Sequence, residues 1–199
     1  KANYLESIRL CGSVADTATD PSFRDEAIMG RTRGYVNLAT VYFAMGDDGR
    51  SRQLLELALK DRQVLLEPDD PKLLGVQDRL ADLEIEAKNF TKAEVHVRRY
   101  VDACEKYFGT RSEDYIRACA KLAKVYAGLG RPAIADSLFE RSITLHKAME
   151  NADTDPELAL ALQQRAAFRI QQDRMSDALA DLKEARAIIE RVHDPSYYK

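Results

Sequence analysis

The 199-residue chain has little of what most enzyme chemistry requires. Its three histidines, His96, His146 and His193, are far apart, and no two share an i, i+4 helical face with an acid placed for a metal ion. Its glycines form no phosphate-binding loop; Gly128-Leu129-Gly130 reads as a turn. No catalytic residue, metal ligand or cofactor is therefore assigned, and the chain is not read as an enzyme. The cysteines, Cys11, Cys104 and Cys119, are odd in number and show no pairing pattern. That points to reduced thiols in a cytoplasmic protein, with Cys104 and Cys119 as small buried hydrophobes. No apolar run is long enough to cross a bilayer. The opening Lys1-Ala2-Asn3-Tyr4-Leu5 lacks the apolar stretch of a secretory leader, although a start at Lys1 rather than Met leaves a removed leader open. A net charge of −3 gives no reason to expect nucleic acid or an anionic membrane as the partner. Neither a strand pattern nor a low-complexity segment occurs.

What is present is a repeat. Leu122-Ala123, Tyr126, Gly130, Ala135 and Phe139 form a pattern that stands also 42 residues upstream, as Leu80-Ala81, Phe90, Ala93 and Val97. It stands 42 residues further up again, as Leu38-Ala39, Tyr42, Gly46, Leu55 and Ala58. A fixed period of this size marks stacked units that bury their apolar faces only against one another. The expected fold is all-α, an α-α superhelix built as a solenoid of antiparallel helix pairs.

Asp-Pro punctuates the chain at Asp20-Pro21, Asp70-Pro71, Asp155-Pro156 and Asp194-Pro195. Asp accepts from the exposed N–H groups of a first helical turn, and Pro fits the first helical position, where its missing N–H is no loss. Ser112-Glu113-Asp114 takes the same role without Pro. The boundaries that follow are 21–67, 70–109, 112–151 and 155–193, each a helix pair. The first pair has a long opening helix from Pro21 to about Met45 with Gly30 and Gly34 inside it, each weakening a helix by roughly 1 kcal/mol relative to Ala. That length is read as about two extra turns or a short separate helix. The second helix of that pair, about Arg50 to Leu66, puts Leu54, Leu55, Ala58 and Leu59 on one face. In the fourth pair Ala178, Leu182 and Ala185 continue the series one residue out of step.

Residues 1–16 echo a later segment: Tyr4-x-x-Ser7-Ile8-x-Leu10 matches Phe139-x-x-Ser142-Ile143-x-Leu145, and Thr19-Asp20-Pro21 matches Thr154-Asp155-Pro156 at the same offset. Two readings stand. The segment is the second helix of a truncated repeat, with Ile8 and Leu10 packed on the helix beginning near Pro21, or it is a dedicated cap.

The pattern Leu-Ala-x-x-Tyr, turn Gly, Ala-x-x-x-Phe resembles the tetratricopeptide repeat, with Leu38-Ala39-x-x-Tyr42 and Leu122-Ala123-x-x-Tyr126 as its best matches. Glu84 and Arg169 depart from it at the Tyr position, Ser51 at the Ala position and Arg165 at the Leu position. The 42-residue period is longer than the usual ~34 and, with Asp-Pro between repeats, is similar to the repeats of kinesin light chain. Tyr42, Tyr126 and Phe139 are read as core.

The resemblance implies that the first helix of each pair lines a concave face. Its inward positions include Arg33, Asn37, Thr40 and Phe43 in the first repeat, Arg79 and Asp82 in the second, Arg117, Lys121 and Lys124 in the third, and Gln164, beside Leu160 and Ile170, in the fourth. Asn37 matches an Asn common in kinesin-light-chain repeats, but Arg79, Lys121 and Gln164 replace it elsewhere. Such a lining suits an extended peptide or protein segment with an acidic portion. The alternative is that the cations are ordinary solvated charges, neutralised by Asp78, Asp82 and Glu86. Glu84, Glu86 and Glu94 are read as a solvated face. The expected function is a protein-interaction scaffold or adaptor. Its rivals are self-association through open solenoid ends, or a regulatory arm of a larger multidomain protein.

Overall fold

The protein, seen here as a computed structural model, is described over residues 2–67 and 70–193, with side chains from Asn3 onward. The last Asp-Pro pair, Asp194-Pro195, lies outside the described residues. Among the described residues the regular structure is helical, with no strand. The helices are α1 (Ala2–Thr17), α2 (Pro21–Ala44), α3 (Asp48–Leu65), α4 (Leu74–Glu86), α5 (Phe90–Phe108), α6 (Glu113–Gly128), α7 (Pro132–Lys147), α8 (Pro156–Gln171) and α9 (Met175–Val192). Short 3-10 turns at Pro71–Leu73 and Ala152–Thr154 precede α4 and α8. The chain divides into two compact units, Lys1–Asn89 and Phe90–Lys199.

Capping chemistry sets the helix starts. Asp20, Asp70 and Asp155 accept from the backbone N–H of Ser22, Lys72 and Glu157 at 2.8, 2.8 and 2.9 Å, and Ser112 accepts from Tyr115 at 3.3 Å. Five helix ends turn through a left-handed residue: Gly46, Lys88, Gly109, Gly130 and Asp173, with φ between 57° and 80°. Glycine takes that conformation freely; Lys88 and Asp173 hold it against a cost of about 1–2 kcal/mol for a side-chain-bearing residue.

In the first unit α2 packs between α1 and α3, and α3 against α4. Ala39, Leu55, Ala58, Val76, Leu80 and Leu83 form the buried core there. The long opening helix is one unbroken α2 of 24 residues, and its two glycines have a reason. A Cβ on Gly34 would lie 2.6 Å from Ile8 Cγ1, and one on Gly30 would lie 2.9 Å from Cys11 Sγ. The glycines are the places where α1 crosses α2 closely. Ile8 packs as expected, but Leu10 is 51% exposed, which corrects the reading that both residues face α2. A contact face carries residues at spacings of three and four, and Ile8, Cys11 and Ala15 take it; Leu10 lies on the other side.

In the second unit α6 packs against α5, α7 and α8, and α9 closes on α8. Ile143, Leu158, Leu162, Ala185 and Ile188 are buried together, and the rings of Phe139 and Phe168 lie 5.6 Å apart. Phe139 and Tyr126 are core residues; Tyr42 is half-buried, under the guanidinium of Arg50. Leu182, expected in a core position, is 41% exposed, while its neighbour Asp181 is buried. The reason is electrostatic: Arg165 and Arg169 occupy the Leu and Tyr positions of α8, and the helix presents Asp181 to them in place of a leucine.

Candidate functional site

The first helices, α2 and α4 in one unit and α6 and α8 in the other, each keep an exposed stripe. On α2 that stripe carries Arg33, Asn37, Thr40 and Phe43, all exposed. On α4 Arg79 is exposed and Asp82 half-buried. Four of these residues meet at one place. Thr40 and Phe43 from α2, with Arg79 and Asp82 from α4, rim a small pocket of about 50 Å³ whose remaining wall is Ser51, Leu55 and Leu83. The Thr40 hydroxyl donates to the Val36 carbonyl at 3.0 Å. Sequence reasoning took Leu55 for core and Ser51 for a departure from the usual Ala.

Further along the same helix, Arg33 adds to a cationic neighbourhood. Burial, followed by the charge of Arg33, pushes the guanidinium of Arg62 below its ordinary value. Two ion pairs join helices of this unit, Arg31 with Asp61 across α2 and α3 at 2.8 Å and Arg52 with Glu84 across α3 and α4 at 2.9 Å, and Asp47 pairs with Arg50 at 3.2 Å. Glu84 is only 3% exposed and accepts also from Asn89 at 2.8 Å, which corrects its reading as part of a solvated face. It stands where the repeat pattern has Tyr, so its carboxylate lies inside the helix pair and needs the Arg52 cation. Glu86 is exposed and Glu94 half-buried.

In the second unit Arg117 and Lys124 are exposed on α6 and Lys121 is half-buried and partnered. Arg117 is held by Asp114, one turn earlier on its own helix. Gln164 is half-buried on α8, between the exposed side chains of Leu160 and Ile170. On the other flank of α6, the Tyr126 hydroxyl accepts from Arg98 at 2.7 Å and donates to Glu94 at 2.9 Å, so this tyrosine is committed to holding α5 and α6 together.

A tetratricopeptide repeat family model matches residues 31–106 and again residues 73–148, between them more than half of the chain. The chain belongs to the tetratricopeptide repeat family. No curated protein sequence matches it significantly. Among solved structures it is similar to BtubC (BKLC) from P. vanneervenii, with a TM-score of 0.71, 18% identity, and coverage of 94% of this chain and 88% of that one. It is similar to the nearly identical TPR-like repeats of a Podosopora anserina protein assigned as a kinesin light chain, with a TM-score of 0.67, 18% identity, and coverage of 96% and 90%. MamA from Desulfovibrio magneticus RS-1, from its residue 41 to the end, gives a TM-score of 0.61 at 14% identity, with coverage of 94% and 97%. At these identities the likeness is one of fold: an all-α tetratricopeptide solenoid of the kinesin-light-chain-like kind. Tetratricopeptide arrays are protein-interaction scaffolds, generally without enzymatic activity.

Three other chemistry-bearing side chains of this tetratricopeptide protein, His146, Cys104 and Cys119, lie in the packed interior. His146 is buried at the end of α7, with Nδ1 2.9 Å from the carboxylate of Asp155, the cap of α8. Cys104 and Cys119 are buried, as expected, and in no disulfide, and burial raises the Cys119 thiol above its ordinary value. Among the described residues no group of three or more His, Cys, Asp or Glu side chains is placed to hold a metal ion. Among them also, no helix is long and apolar enough to cross a membrane.

Proposed function

We propose that the chain is an adaptor holding a protein or peptide segment with acidic residues on the exposed stripes of its first helices, α2 and α4 in one unit and α6 and α8 in the other, the helices that line the binding face in tetratricopeptide arrays. One observation carries this reading. In a chain of net charge −3, the stripe positions of the first helices expose the cations Arg33, Arg79, Arg117 and Lys124, with Glu86 as an exposed acid beside them. Three cysteines outside any disulfide, two of them buried, support a reducing, cytoplasmic setting.

The test is selection from a phage-displayed library of random 12-residue peptides on the purified protein at low salt. Enrichment of acidic sequences, lost on the variant carrying Lys121→Glu and Lys124→Glu, is the expected result. Enrichment of basic or neutral sequences, or of none, sinks the reading. A second reading, self-association, draws on α1, where Leu5, Leu10 and Val14 are each about half exposed. Light scattering decides it: mass that rises with concentration supports association, and a constant monomer mass excludes it.

A further inference from the structure

The last turn of α3 carries a fixed guanidinium without an acid. Arg62 is half-buried there. Its Nε donates to the Thr32 hydroxyl of α2 at 3.3 Å, and its Nη1 donates to the carbonyl of Lys72, in the 3-10 turn before α4. These contacts hold the group at the corner where α2, α3 and the start of α4 meet. They use two of its five N–H donors. The other three have no acceptor among the described residues, and none of their nitrogens is sealed from water. The other arginines that join helices of this unit, Arg31 and Arg52, each hold a carboxylate; Arg62 is held in a similar way by neutral oxygens. The acids next to it in the chain are committed elsewhere. Asp61 pairs with Arg31 at 2.8 Å, and Asp70 accepts from the backbone N–H of Lys72.

A second cation stands beside the first. Arg33 follows Thr32 on α2, is exposed, and makes no ion pair among the described residues. Its charge, after burial, opposes the charged form of Arg62. A clamp for the turn before α4 needs Arg62 alone and is weakened by a like charge next to it. Two guanidinium groups with free donors and no acid gain most from an anion placed between them.

We infer that Arg33 and Arg62 form a binding site for a phosphate group, supplied either as inorganic phosphate or as a phosphorylated side chain of a partner segment. A guanidinium presents its N–H groups as a planar fork that matches two phosphate oxygens. A phosphomonoester carries a charge of about −1.5 to −2 at neutral pH and offsets both cations, where a carboxylate offsets one. The inference does not rest on the proposed function. The site lies at the end of α3, about two turns before Thr40 on α2, and takes its ligand whether or not the exposed stripes take an acidic segment.

The experiment titrates inorganic phosphate into the full chain by calorimetry, with chloride holding the ionic strength constant. Saturable binding of about one phosphate per chain is expected, with a melting temperature that rises with phosphate concentration. Arg33→Gln, at an exposed position, weakens binding by about tenfold or more. Arg62→Lys keeps the charge, loses the fork and weakens binding likewise. Arg33→Glu supplies the anion from within the chain, so it raises the melting temperature without phosphate and abolishes the response to it. Arg186→Gln, at an exposed cation of α9, leaves the response unchanged. Circular dichroism establishes that each variant is folded. Labelled 12-residue Ser-Gly peptides with a central phosphoserine, Glu or Ser, read by fluorescence polarisation, decide the source. A phosphoserine peptide that binds about tenfold more tightly than the Glu peptide, and is displaced by inorganic phosphate, makes the source a phosphorylated side chain. Phosphate binding without that preference makes it the free anion. The site is overturned if phosphate does not bind saturably, or if it binds the native, Arg33→Gln and Arg33→Glu chains equally.

Discussion

At the scale of single residues, two positions show how neighbours reverse an intrinsic preference. Gly34 sits inside α2, where replacing Gly by Ala ordinarily strengthens a helix by about 1 kcal/mol. Its Cβ would lie 2.6 Å from Ile8 Cγ1, a β-branched atom with no free end to swing away. Overpacking costs about 1–3 kcal/mol, so Gly34→Ala is expected to lower stability. Gly75→Ala, with open space around it, is expected to raise it; urea midpoints of the two variants check both signs. Tyr115 is the second case. It is 2% exposed, and burial, then the neighbouring Cys119, pushes its phenol up to about 12. The phenolate is disfavoured in the fold while the unfolded chain ionises near pH ~10. The stability that Tyr115 contributes is therefore complete below pH ~10 and is lost as the pH rises towards about 12. Urea unfolding at pH 9 and at pH 11 should show a steeper loss for the native chain than for Tyr115→Phe.

At the scale of helices, the last pair is held differently from the others. Arg165 and Arg169 on α8 share Asp181 on α9: Arg165 reaches both its oxygens, at 3.0 and 2.7 Å, and Arg169 one, at 2.7 Å. Glu140 on α7 also pairs with Arg165, and Arg174 spans Asp136 and Asp177 at 2.8 and 3.0 Å. Arg165 and Asp181 are nearly out of water, so neither can lose its partner cheaply. Asp181→Leu is expected to cost about 3–5 kcal/mol, because it strands two guanidinium groups. Adding Arg165→Leu and Arg169→Tyr, the residue types the repeat pattern has there, should recover most of the loss. Calorimetric melting of the single and triple variants checks this. Failure of the triple variant to recover would mean that the charges cannot be exchanged for carbon in this geometry.

At the scale of the whole molecule, the balance of charge and its placement differ. The chain is net acidic, yet its first helices expose cations. Exposed charges attract over about 8 Å at physiological salt, so binding of an acidic peptide should weaken severalfold as salt is raised from low to high. Lys121→Glu with Lys124→Glu should flatten that dependence. Lys124 lies off the packed faces, and surface changes usually stay within about 0.5 kcal/mol, so Lys124→Glu alone should hardly move the melting temperature; Lys121 is half-buried and partnered, so the melting temperature of the double variant is measured beside it. Titration of one acidic peptide at three salt concentrations, on the native chain and the double variant, decides the point. Equal slopes would place the peptide elsewhere on the molecule.

The sequence by itself determined the all-α repeat architecture and the helix starts. Those follow from interactions within a few residues: apolar spacing of three and four, and an Asp or Ser side chain accepting from the next turn. The tertiary structure alone decided what the departures from the pattern became. Glu84 meets Arg52 thirty-two residues away, and Arg165 meets Asp181 sixteen away, so both are buried where a local reading puts them in water. It also exposed Leu10 and Leu182, and it formed the pocket of Thr40, Phe43, Arg79 and Asp82 around Ser51. A charge is buried or left in water according to which distant side chain can pair with it, and a cavity exists only where helices from separate stretches fail to fill the space between them.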